Sequence, residues 1–75
     1  MIIYVDIDNT ICHTENSDYP NSKPRQYQID KINKLYEEDN EIVYWTARGG
    51  NSKKDWQSFT QRQLDYWGCK YTRIE

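Results

Sequence analysis

The apolar residues of this chain fall into three short runs and two longer segments of helical spacing. Residues 1–7 read MIIYVDI, and such a continuous β-branched run predicts a strand buried on both faces of a parallel sheet. Residues 41–45 read EIVYW and predict a second strand, and residues 69–74 are suited to a third. The stretch from Cys12 to Lys23 is polar and contains Pro20, so we predict a loop there.

The first helical segment follows this loop. Pro24 is suited to begin it, and Asp39-Asn40 is suited to end it. Between these limits the apolar side chains recur three and four residues apart, at Tyr27, Ile29, Ile32, Leu35 and Tyr36.

The second helical segment follows a loop that contains Gly49-Gly50. Ser52 and Asp55 have the spacing of a capping box at the start of a helix, and Gly68 suits the left-handed residue that ends one. The apolar side of this predicted helix consists of Trp56, Phe59, Leu64 and Trp67.

The predicted order is strand, helix, strand, helix, strand, which makes residues 1–75 a single α/β domain. Right-handed crossovers place the first strand beside the second and the second beside the third, all parallel. The result is a minimal Rossmann-like sheet of three strands with two helices. Ligands of such sheets bind at the edge where the carboxyl ends of the strands meet.

The composition indicates an ordered domain with a small, aromatic core. Leu, Ile, Val and Phe together are only 13 of 75 residues, whereas there are seven Tyr and three Trp. The net charge of −2 is too small for a disordered chain and gives no general reason to bind nucleic acid. A chain this short often needs a metal, a ligand or a partner subunit for stability.

Several other protein classes are disfavoured. No apolar run approaches the roughly 20 residues of a membrane span, and no secretory signal begins the chain. Cys12 and Cys69 form no disulfide pattern, and with His13 they are too few for a closed zinc site. We therefore expect a reduced, cytoplasmic protein.

Two carboxylates mark the end of the first strand. Asp6 and Asp8 lie two residues apart in Asp6-Ile7-Asp8-Asn9-Thr10, so in an extended chain they point to the same side. Such a pair favours a cation between the carboxylates or a proton on one of them. Mg²⁺ suits a site with few carboxylates, and the pair also suits a nucleophile and an acid/base.

The second strand ends in Trp45-Thr46-Ala47-Arg48, on the same predicted edge. The Thr46 hydroxyl can donate to a phosphate oxygen, and the guanidinium of Arg48 can bind the same group. The two strand ends together predict a site for a phosphorylated substrate.

These motifs resemble those of the haloacid dehalogenase (HAD) superfamily of phosphohydrolases. Residues 6–10, DIDNT, match its first motif, Asp-x-Asp-x-Thr, and Thr46 stands where the second motif has Ser or Thr. The resemblance implies that Asp6 is the nucleophile and forms an aspartyl-phosphate. It implies that Asp8 is the acid/base, and that Mg²⁺ is held by the Asp6 side chain and the Asp8 carbonyl. Thr46 would bind the phosphoryl group, and we expect Arg48, Asn9 and Thr10 to contact it as well.

The third (basic) and fourth (acidic) motifs of the family have no match in these 75 residues, and there is no cap domain. Arg48, Lys53 and Lys54 are the candidates within the chain to replace the basic motif. A Mg²⁺-dependent phosphomonoesterase is therefore the first expectation. A phosphate- or metal-binding regulatory protein without turnover, or part of a longer enzyme, are the alternatives.

The first strand also suggests self-association. In the family's sheet this strand is central, whereas here only the second strand covers it. We expect a homo-oligomer, a dimer or tetramer, with the first strand paired to its copy. A neighbouring subunit would then be able to supply a missing side chain.

Overall fold

The protein is described here from a computed structural model that covers residues 1–16, 18–46, 48 and 56–75. Two helices, α1 (Gln26–Glu37) and α2 (Trp56–Tyr66), accompany five strands. In chain order the strands are β1 (Ile2–Asp6), β2 (Cys12–His13), β3 (Lys23–Pro24), β4 (Glu41–Trp45) and β5 (Arg73–Ile74).

The central sheet has the predicted topology. The strand order is β1-β4-β5, and both pairings are parallel. The register pairs Asp6 with Trp45, so β1 and β4 end level with each other. The predicted α/β fold with a three-stranded parallel sheet is confirmed.

Both helices end where the sequence provides a residue for a left-handed turn. Asp39 follows α1 with φ of 70° and Gly68 follows α2 with φ of 76°. The Cys69 N–H donates to the Leu64 carbonyl at 3.0 Å and the Gly68 N–H to the Asp65 carbonyl at 3.1 Å. This is the Schellman arrangement, and it returns the chain toward β5.

The main hydrophobic cluster lies on one face of the sheet, and Val43 is a buried residue on the other face. Val5 and Ile42 point to the same face and pack with Ile29 of α1 and Leu64 of α2, so both helices cover this face. The expectation that β1 is buried on both faces is wrong. Crossovers between parallel strands are right-handed as a rule, and the strand order here runs in one direction, which places both helices on the same side.

Three boundaries differ from those predicted. The expected loop at 12–23 contains the antiparallel pair β2·β3 and a 3₁₀ turn at Tyr19–Asn21. Pro24 belongs to β3, so α1 begins two residues later. The third strand is only Arg73–Ile74, because the residues before it complete the helix cap and the turn into the sheet. The predicted capping box at Ser52 and Asp55 lies outside the described residues.

Neither described helix is long and apolar enough to cross a membrane.

Candidate functional site

The candidate site forms where β1 and β4 end side by side. Asp6 is the last residue of β1, and Thr46 follows β4 directly. The Ile7 N–H donates to the Trp45 carbonyl at 3.2 Å, which extends the pairing of the two chains beyond the strands. Asp8 and Thr46 are thereby brought within hydrogen-bond distance, as the sequence predicted for this edge.

Asp8 is bound by the guanidinium of Arg48. Nη2 of Arg48 lies 2.8 Å from Oδ1 of Asp8, and Nε lies 3.1 Å from Oδ2. The Arg48 side chain is completely buried and that of Asp8 is 22% exposed. The pair is therefore a two-pronged ion pair that is largely removed from water.

Hydroxyl groups occupy the remaining lone pairs of the Asp8 carboxylate. Thr14 Oγ1 donates to Oδ1 at 2.8 Å, and Thr46 Oγ1 donates to Oδ2 at 3.4 Å. Burial raises the pKa of Asp8, but the hydrogen bonds from Arg48 and Thr14 outweigh it and hold the pKa below its usual range. Asp8 is thus held as a carboxylate.

Arg48 is fixed from every side. Nη1 donates to Oε1 of Gln63 at 2.6 Å and to Oγ1 of Thr60 at 3.3 Å, both on α2. The ring of Tyr19 lies 4.7 Å from the guanidinium carbon, within the range of a cation–π contact. These contacts tie the sheet, α2 and the 3₁₀ turn to one charged group.

Asp6 differs from Asp8 in its surroundings. Among the described residues, its carboxylate takes part in no ion pair and in no hydrogen bond with another side chain. Burial and the nearby charge of Asp8 raise its pKa above the ordinary value. Asp6 is therefore the carboxylate of the pair that is open to a ligand.

Asn9 and Thr10 shape the turn after the first strand. Asn9 has φ of 64°, a conformation that Asn tolerates well, and its Oδ1 accepts the Thr14 N–H at 3.4 Å. The Asn9 carbonyl accepts from Arg25 at 2.9 Å, and the Thr10 N–H donates to the Ile7 carbonyl. Their expected contact with a phosphoryl group stays a prediction.

Sequence reasoning missed the polar residues that surround Asp8 and Arg48. Thr14 and Ser22, whose hydroxyls are 2.6 Å apart, lie in a polar segment where nothing distinguished them. Thr60 and Gln63 had a signal, because they are polar residues within the otherwise apolar stripe of α2. The other two basic candidates, Lys53 and Lys54, lie outside the described residues.

Of the two carboxylate side chains, only that of Asp6 has oxygen atoms free to bind a Mg²⁺ ion. Both oxygens of Asp8 are committed to Arg48 and to hydroxyl groups, so its side chain offers no free ligand atom. Among the described residues no three His, Cys, Asp or Glu side chains cluster closely enough to hold a metal. One open carboxylate suits an ion that completes its coordination with water and phosphate oxygens.

Two open spaces adjoin this cluster. A cavity of about 330 Å³ is bordered by Thr46 and Arg48 at the edge of the sheet and by Glu75. A groove of about 550 Å³ runs along α2, with Gln63 and Ser22 in its wall. Both are large enough for part of a small organic molecule.

The comparisons with known proteins establish the fold and no function. No protein-family model matches the chain, and no curated protein matches it. The chain is similar to the crystal structure of a structural-genomics target from Vibrio cholerae, with a TM-score of 0.85 and 28% sequence identity. The match covers 97% of this chain and 66% of that one, so this chain spans slightly less than two thirds of its structural relative.

Proposed function

We propose that this protein is a Mg²⁺-dependent phosphomonoesterase of the HAD type, with Asp6 as its nucleophile. The observation that carries the proposal is the contrast between the two carboxylates at the end of β1. Asp8 is bound by Arg48, Thr14 and Thr46, whereas Asp6 is open beside them. An open carboxylate next to fixed hydrogen-bond donors suits attack on a phosphate ester.

The proposed reaction has two steps. An oxygen of Asp6 forms a bond to phosphorus while the ester P–O bond breaks, and the leaving oxygen takes a proton from the carboxyl group of Asp8. Water then attacks phosphorus, the aspartyl-phosphate bond breaks, and inorganic phosphate leaves. The proton that water loses in this step returns to Asp8, and the cleavage of the aspartyl-phosphate bond restores the carboxylate of Asp6.

Arg48 and Thr46 are the groups that bind the phosphoryl oxygens in this proposal. Arg48 presents its guanidinium fork to Asp8, and a phosphoryl oxygen is the alternative partner for the same donors. When Arg48 turns to the phosphoryl group, Asp8 becomes free to carry a proton. Arg48 would thereby replace the basic motif that the chain lacks.

The Asp6 side chain would hold Mg²⁺ together with the Asp8 carbonyl, water and the substrate. The ion would neutralise charge on the phosphoryl group. Because the protein supplies few ligands, we expect weak binding.

The test is hydrolysis of p-nitrophenyl phosphate with and without Mg²⁺. Asp6→Asn should abolish turnover, and Thr46→Ala should reduce it more mildly. Asp30→Asn, which changes an exposed carboxylate on α1, is the matched control and should keep full activity. Substantial hydrolysis by the Asp6→Asn protein would reject the proposed mechanism.

One observation favours the second candidate, a phosphate- or metal-binding regulatory protein. The acid/base that turnover needs is tied up by Arg48, as expected if the pair has only a structural role. Such a protein would bind inorganic phosphate without hydrolysing any ester. Calorimetric phosphate binding by an inactive wild-type protein would identify it.

We also propose a cytoplasmic homo-oligomer, a dimer or tetramer, joined through β1. Both cysteines are buried and form no disulfide, which is usual for proteins of a reducing compartment. Two observations support association. In the described sheet β1 has a strand, β4, on one side only, and β1 exposes apolar side chains.

A further inference from the structure

Among the described residues no strand lies on the outer side of β1, and the hydrogen-bonding pattern of this edge is defined. The Met1 carbonyl accepts the Glu41 N–H at 2.8 Å, and the Ile7 N–H donates to the Trp45 carbonyl at 3.2 Å. Odd-numbered residues of β1 therefore direct their backbone groups toward β4. Because these groups alternate along a strand, the even-numbered residues, Ile2, Tyr4 and Asp6, direct theirs away from the sheet.

The same three residues lie on the face that the helices leave bare. Ile2 is 51% exposed and Tyr4 57% exposed, and Trp45 beside them is 44% exposed. Parallel sheets are ordinarily covered on both faces. The strand also contains no Lys, Pro or bulge, the features that ordinarily protect a sheet edge.

We propose that a second copy of this chain pairs with β1 in antiparallel orientation, about a two-fold axis at Tyr4. In this register Tyr4 faces Tyr4 of the second copy, and Ile2 faces Asp6 of the second copy. All three outward residues of each copy then exchange their N–H and C=O groups with the partner. A shift by two residues leaves the outward groups of Asp6 without a partner in one direction, and those of Ile2 without a partner within β1 in the other.

Charge selects the antiparallel arrangement. A parallel pairing in register would place the two Asp6 carboxylates side by side, where like charges are destabilising. The antiparallel pairing separates them and sets each beside an isoleucine. It also brings two tyrosine rings together on the bare face, a favourable cross-strand pair.

The result is one six-stranded sheet in the order β5-β4-β1-β1-β4-β5. Asp6 then lies at the seam between the two copies, next to Ile2 of its neighbour. This inference refines the proposed homo-oligomer and does not depend on the phosphatase reaction, because its tests measure assembly and not turnover.

The first test uses proline, which removes one N–H. Light scattering of the wild-type protein should give twice the chain mass of 9.1 kDa. Tyr4→Pro removes an N–H that points away from β4, and proline is tolerated at such edge positions. This variant should be monomeric with an unchanged far-ultraviolet circular dichroism spectrum.

The matched variant is Val5→Pro, whose lost N–H points toward β4. It should unfold the protein, which would show that the alternation along β1 is assigned correctly. A monomeric wild-type protein, or a Tyr4→Pro protein that remains dimeric, would overturn the proposal.

A cross-link tests the register. Tyr4→Cys places two thiols across the axis with Cα atoms about 5.5 Å apart, within the range of a disulfide. Mild oxidation should give a covalent dimer that dithiothreitol reverses. Ile2→Cys is the control, because the two Ile2 positions are offset by about 14 Å along the strands.

The native thiols do not confuse this test, since Cys12 and Cys69 are both buried. Cross-linking of Ile2→Cys and not of Tyr4→Cys would contradict the register. The absence of a cross-link in both variants of a dimeric protein would reject the β1 pairing itself.

Discussion

The guanidinium of the fully buried Arg48 holds both carboxylate oxygens of Asp8, at 2.8 Å and 3.1 Å. Arg48 follows β4 and Asp8 follows β1, so this ion pair joins the carboxyl ends of the two strands. Arg48 also contacts α2 and the 3₁₀ turn, so it links these two elements to the strand ends. The pair therefore has consequences for both stability and chemistry.

The first prediction is that Asp8→Asn destabilises the protein strongly. The substitution leaves a buried guanidinium without its counterion, a change that costs about 3–5 kcal/mol in comparable sites. Urea unfolding measures the loss, provided that enough native protein remains. Asp6→Asn should cost little or nothing, because partial burial and the nearby charge of Asp8 already disfavour the Asp6 carboxylate.

The double variant Asp8→Asn/Arg48→Met is the control for a protein that fails to fold. Replacing the whole pair by less polar groups should recover much of the lost stability. A double variant no more stable than Asp8→Asn would show that the pair is not the cause.

The second prediction concerns acid pH. The folded protein lowers the pKa of Asp8 below its ordinary value of 3.8, so its ionisation stabilises the fold above that pH. This contribution should be lost as the pH falls through the lowered pKa. The test uses the Asp6→Asn protein, because Asp6 no longer titrates in it. We expect its free energy of unfolding to decline as the pH falls below 3.8. Asp8→Asn/Arg48→Met, added to Asp6→Asn, should remove that decline.

The third prediction concerns metal removal. A chelator should abolish phosphatase activity and leave the melting temperature almost unchanged, because the described fold is held by its core and by the Asp8–Arg48 pair. Thermal melts with and without the chelator measure this. A large drop in melting temperature would mean that the metal is structural.

The fourth prediction concerns the end of α2. Gly68 has φ of 76°, and no atom lies within 4 Å of the position that a Cβ would occupy. Gly68→Ala should therefore cost about 1–2 kcal/mol, the cost of the left-handed conformation alone. Gly68→Asn should cost less, since Asn adopts this conformation more readily. Equal stability of the wild-type protein and the two variants would contradict the Schellman cap.

The order of the elements could be predicted because it depends on local patterns. The run EIVYW gave the bounds of β4, and the spacing from Tyr27 to Tyr36 gave α1 within two residues. The burial of β1 could not be predicted the same way. Its apolar residues look alike on both faces, and the side that the helices cover depends on the direction of both crossovers.

The meeting of Asp8 with Thr46 could be predicted from topology, because parallel strands end at one edge. That Arg48 binds Asp8 could not be predicted from topology. A guanidinium binds a carboxylate and a phosphoryl group with the same geometry, and the choice of Asp8 depends on the long-range positions of Thr60 and Gln63 on α2.

The central claim is that Asp6 is the nucleophile, and the most direct measurement is to detect its phosphorylated form. The protein would be mixed with Mg²⁺ and p-nitrophenyl phosphate, quenched in acid during turnover, digested, and examined by peptide mass spectrometry. We expect one added phosphoryl group on Asp6 in the wild-type protein and none in Asp6→Asn. Turnover with no phosphoryl group on Asp6, or with the group on another residue, would contradict it.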